Sequence, residues 1–130
     1  MPTLQLQLTP PVPAPRLAGL ARELTALTNR VLGKREEVTA VLVEEVVGSR
    51  WFIGGKTPAG PTARLEVSIT AGTNTAEAKQ EFIGEAHRLL RQHLGGLEEA
   101  SYVVVRELPA GDWGYGGKTQ AARRHATSPL

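Results

Sequence analysis

A chain of 130 residues with 41% apolar side chains is long enough for one core, built as a single domain or as two small units that share it. Its formal net charge of +2 is too small to argue for a nucleic-acid partner, and the absence of Cys removes disulfides and thiol chemistry, as expected in a reducing cytoplasm. No apolar run approaches the ~18 residues of a membrane span, and the amino terminus lacks the cationic start and apolar stretch of a secretory signal, so a soluble cytoplasmic protein is expected.

The chain begins Met1-Pro2-Thr3, and a small residue after Met favours removal of Met1. That would leave Pro2 with a free secondary amine, whose lone pair is held in one direction by the ring and the fold. A bare α-amine titrates around pH 8. Burial among apolar groups lowers that value, which suits a general base near neutral pH. Many chains begin Met-Pro without catalytic meaning, so the rest of the sequence must decide.

Leu4-Gln-Leu-Gln-Leu8 alternates apolar and polar residues, as a strand with one apolar face does. Leu17, Leu20, Leu24, Leu27 and Val31 then recur at helical spacing, with Pro15 near the start and Gly33 at the end. Thr39–Val46 reads as a second strand, which like Tyr102–Leu108 below is rich in Val and expected to be more buried, and Trp51-Phe-Ile-Gly-Gly-Lys56 as a short hairpin. The pattern then starts again. Leu65-Glu-Val-Ser-Ile69 is a strand; Ala78, Phe82, Ala86, Leu89 and Leu90 mark a helix opening near Thr75 and closing at Gly95-Gly96; Tyr102–Leu108 is a strand; and Trp113-Gly-Tyr-Gly-Gly-Lys118 is a hairpin. Lys118–Leu130 reads as a basic, flexible tail.

Trp51–Lys56 returns as Trp113–Lys118 62 positions later, and Val41, Val43 and Glu45 match Val103, Val105 and Glu107 at the same offset. Two copies of one unit therefore make up nearly the whole chain, as pseudo-repeats 2–56 and 63–118 of one domain, followed by the tail 119–130. Each copy is strand, helix, strand, which implies a parallel pair with a right-handed crossover. The expected class is α+β: a four-stranded sheet from a tandem β-α-β repeat, with both helices on one face and short hairpins beside it. Apolar residues on the other face would need cover, so an oligomer stacked on that face is expected.

Other chemistries find little support. His87 and His93 do not share a helix face as metal ligands would, and no phosphate-binding Gly-Lys-Ser/Thr loop occurs. Glu44 and Glu45 are adjacent on a strand and point to opposite faces.

Pro2 ahead of Leu4–Leu8, the doubled β-α-β unit and Trp113-Gly-Tyr-Gly-Gly117 together resemble the tautomerase superfamily, of the 4-oxalocrotonate tautomerase type. The resemblance covers about residues 2–118. The fused double unit is similar to the long, trimeric members. Asn29-Arg30 and Trp51-Phe-Ile-Gly-Gly55 make the first half most like the cis-3-chloroacrylic acid dehalogenase group. The family's arginines are replaced, with Ala71 and Asn74 where the dehalogenases carry two of them. The resemblance implies a tautomerase fold and a cofactor-free homotrimer with no metal, no nucleic acid and no membrane partner. It implies a keto–enol tautomerase of small enol or α-keto acids, with Pro2 as base. Arg64 or Arg50 is then the candidate cation for the substrate carboxylate, and Tyr115, Trp113 and Asn29 the candidate contacts. Two alternatives remain: protonated Pro2 acting as an acid in hydration, decarboxylation or dehalogenation of a three-carbon acid, or a non-catalytic trimer of the same fold.

Overall fold

The computed structural model describes residues 2–127. In chain order it contains β1 (Thr3–Thr9), α1 (Ala14–Leu32), β2 (Ala40–Glu45), β3 (Thr62–Thr70), α2 (Ala76–Leu94), β4 (Tyr102–Leu108), the short strands β5 (Gly114–Tyr115) and β6 (Lys118–Thr119), and α3 (Gln120–Thr127). One-turn 3-10 helices precede and follow β2, at Glu36–Val38 and Gly48–Arg50.

The sheet runs in the order β2-β1-β3-β4. β1 and β2 are parallel, as are β3 and β4, because each pair is joined through a helix. The two β-α-β units meet antiparallel at the centre, where Leu6 pairs with Leu65. Leu4, Leu6 and Leu8 of β1 and Leu65, Val67 and Ile69 of β3 alternate onto one face. There they form a single core with Leu20, Leu24 and Leu27 of α1 and Phe82, Ala86 and Leu90 of α2. Burying each of these large side chains stabilises the fold by about 1.5–3 kcal/mol. Both helices therefore lie on the same face, as the repeat predicts.

The helices start differently. The α2 N-cap is Thr75, whose side chain accepts a hydrogen bond from the Ala78 N–H at 3.0 Å. α1 has no side-chain cap, and its first turn is set by Pro13 and Pro15, whose fixed φ suits a helix start. It ends at Gly33, whose φ of 70° is a left-handed conformation that few other residues adopt cheaply.

Three expectations are corrected. β2 and β4 are the outer strands of the sheet, and β2 is mostly exposed despite its valines, because no strand among the described residues pairs with its outer edge. The face turned away from the helices is not a continuous apolar surface. Gln5, Gln7, Arg64, Glu66 and Arg106 stand on it, with Leu42, Val104 and Tyr102 on the flanking strands, since the alternation that sends leucines inward sends these residues outward. The residues after Thr119, read as a flexible tail, begin with α3; residues 128–130 lie outside those described. Among the described residues no helix is long and apolar enough to cross a membrane.

Candidate active site

Pro2 lies immediately before β1 and is buried. Its carbonyl accepts a hydrogen bond from the Ala40 N–H at 3.3 Å, and Thr3 pairs with Ala40 on one side and Ser68 on the other. Continuing that register places Pro2 beside Thr39 and Ile69, one residue from Val38 and Thr70. Val38 and Thr70 in turn line a cavity of about 350 Å³ at this end of the sheet.

The chemistry of that cavity is cationic. Lys34, Arg35, Arg123 and Arg124 all line it, beside Tyr115 and Gln120. Lys34 follows the Gly33 turn and is held from three sides. Its backbone carbonyl accepts from Asn29 Nδ2 at 2.8 Å, the neighbouring Leu32 carbonyl accepts from Asn74 Nδ2 at 3.0 Å, and its own Nζ donates to Thr73 Oγ1 at 2.9 Å. Burial, and then the positive charge of Arg124, push the Lys34 ammonium below the usual lysine range. An anion beside the ammonium would offset both effects.

The second hairpin forms another wall. Its β5–β6 ladder pairs Gly114 with Thr119 and Tyr115 with Lys118, and the turn uses positive φ at Gly116 and Gly117. Gly114 is required as well, because a Cβ there would run into the Lys118 carbonyl. The Arg123 guanidinium lies 3.8 Å from the centre of the Tyr115 ring and donates to the Tyr115 carbonyl at 2.9 Å, so a cation–π contact and a hydrogen bond tie α3 to the hairpin. Gln120 lines the same cavity, and its Nε2 is buried without a hydrogen-bond partner among the described residues. Trp113 Nε1 donates to Thr70 Oγ1 at 3.2 Å, so its indole anchors the hairpin to the end of β3.

A family model described as "Tautomerase enzyme" matches residues 65–123. A protein named "Probable tautomerase K2", from Dickeya dadantii (strain 3937), is 31% identical over 64 residues, which are 49% of this chain and 96% of that one. The chain belongs to the tautomerase family. It is an enzyme of the isomerase type. Among solved structures, one described as an "F6 fused 4-OT wild type asymmetric trimer" is 25% identical, with a TM-score of 0.83 over 93% of this chain and 98% of the other. A macrophage migration inhibitory factor homologue from Prochlorococcus marinus is 26% identical, with a TM-score of 0.77 over 90% and 97%.

In this tautomerase the residues singled out from sequence separate into two groups. Tyr115 and Trp113 are at the Pro2 end; Tyr115 lines the cavity and Trp113 fixes the hairpin. Asn29 is exposed, and its amide holds the Lys34 turn. Arg64 and Arg50 are elsewhere. Arg64 pairs across the sheet with Gln7, about 17 Å from Pro2 along β1 at roughly 3.4 Å per residue. Arg50 shares a different cavity with it. Sequence reasoning missed Lys34, Arg35, Gln120, Arg123 and Arg124. The available signal was Gly33, which ends α1 and turns the next residues back towards the start of the sheet.

Proposed function

We propose that the chain is a cofactor-independent keto–enol tautomerase of small enol or α-keto acids, with Pro2, freed by removal of Met1, as its general base. The Pro2 nitrogen takes the enol O–H proton as the carbonyl forms, and returns that proton to the carbon that becomes sp³. No atom is gained or lost. Negative charge develops on an enolate-like oxygen during the transfer, and fixed donors stabilise it.

The observation that carries this reading is that Pro2 and a four-cation cavity share one end of the sheet. Lys34 holds the substrate carboxylate, with Arg35 and Arg123 adding positive potential, in the role that Arg64 or Arg50 was expected to fill. Tyr115 and the Gln120 amide offer donors for the oxyanion. The enzyme works as a homotrimer, in keeping with the trimeric description of the fused relative, and its acid substrate needs no metal.

Ultraviolet ketonisation of phenylenolpyruvate and 2-hydroxymuconate tests the proposal, using protein whose mass shows Met1 absent. Wild type should turn over, and Pro2→Ala should lose about 10²–10⁴-fold in kcat/KM, as expected for a lost general base. Equal rates in the two proteins would remove Pro2 from the mechanism.

A further inference from the structure

At the other end of the sheet lies a second cavity, of about 320 Å³, that the proposed reaction does not use. Arg50, Trp51, Phe52, Arg64 and Tyr102 line it, beside Gln7. Three of the chain's six aromatic residues therefore meet at one place. Phe52 and Tyr102 are 61% and 65% exposed in the single chain, so two aromatic rings are left for a ligand or a neighbouring copy to cover. Charge is unbalanced in the same direction. Glu66 alone answers two guanidiniums, Arg64 at 3.1 Å and Arg106 at 3.7 Å, while Arg50 has no ion pair among the described residues. Glu44, the next carboxylate on this face, accepts from Gln7 Nε2 at 2.8 Å.

The internal duplication explains why a cavity exists here. Each of the two is built from the hairpin of one unit, a strand end of that unit and the strand starts of the other. Ala63 stands at this end in the place of Pro2. Its nitrogen is a peptide amide that donates to Ser101 Oγ at 3.1 Å, so it has no lone pair for a proton. Two arginines recognise a carboxylate by forked hydrogen bonds, and aromatic planes stack on a flat body. The volume falls at the lower end of small-molecule pockets, roughly 300–1,000 Å³.

We propose that this cavity is a second binding site that takes a planar aromatic or conjugated monocarboxylate and releases it unchanged. It stands independently of the role of Pro2.

Benzoate is the probe, because it cannot enolise. Two-dimensional proton–nitrogen NMR spectra resolve the two indole Nε1–H groups, Trp51 at this end and Trp113 at the other, assigned with Trp51→Phe. Benzoate should shift the Trp51 signal saturably in wild type and equally in Lys34→Gln, which disables the other cavity. Arg50→Gln alters an exposed, unpaired side chain and should weaken the response about tenfold with sedimentation unchanged. The proposal fails if Trp51 does not move up to about 20 mM benzoate, or if Arg50→Gln binds as wild type does. It fails too if Arg50→Gln changes the assembly while benzoate leaves wild-type Trp51 unmoved, since the cluster is then an interface between copies.

Discussion

At one end of the sheet stand Pro2, Lys34, Arg35, Tyr115 and Arg123; at the other stand Ala63, Arg64, Arg50, Trp51, Phe52 and Tyr102. Both ends are built from the same β-α-β unit, and the antiparallel β1–β3 pairing relates them. The decisive difference is covalent. A chain offers an α-amine only at its first residue, so joining two units turns the second unit's starting nitrogen into an amide, here bonded to Ser101. Both ends kept cations and aromatic rings. Only the Pro2 end can carry the proton acceptor that the proposed reaction needs.

The contrast breaks most directly through Pro2. Protein that retains Met1, made with the methionine aminopeptidase inhibited, should lose activity by about 10²–10⁴-fold, because acylating the Pro2 nitrogen delocalises its lone pair. Mass spectrometry beside the ketonisation assay checks this. Lys34→Ala should follow, with kcat/KM lower by about 10–100-fold, from loss of a charged hydrogen bond of about 1.5–3 kcal/mol.

A pH profile sharpens the assignment of Lys34. Burial and Arg124 lower its pKa, and only the protonated form holds a carboxylate, so kcat/KM should fall as pH rises through a value below the usual lysine range. Lys34→Arg should move that alkaline limb upward and out of range, since a guanidinium stays charged. Arg64→Gln tests the other end, and kcat/KM should stay within about twofold of wild type in the same assay. The smallest expected effect lies outside both ends. Thr75→Ala removes the cap of α2 and should cost about 1 kcal/mol in denaturant melts.

The sheet, both long helices and the second hairpin were legible because their signals are local and occur twice. Leu4–Leu8 and Leu65–Ile69 alternate, the helical leucines recur at fixed spacing, and Gly33, Gly95 and Gly116-Gly117 mark stops and turns. Which strands lie at the edge was not legible. Valine content reflects a preference for extended backbone, whereas exposure depends on what packs alongside. The cationic wall was hidden for a similar reason. Arg64 opens the third strand, parallel to Pro2 in the repeat, and so looked like its partner, but antiparallel pairing puts the starts of β1 and β3 at opposite ends. Lys34 and Arg123 are far from Pro2 in sequence and reach the cavity through a helix stop and through α3, which composition alone read as a tail.

The covalent link between the two units, from the first hairpin into β3, also changes what a single substitution can do. In an assembly of identical short units, every replacement appears at every site, so a residue must suit all of them at once. Here Arg64 and Lys34 have separate codons. One end can be altered for recognition while the other stays fixed for chemistry, and the fused chain can hold two specialised halves where a symmetric assembly would hold two copies of a compromise.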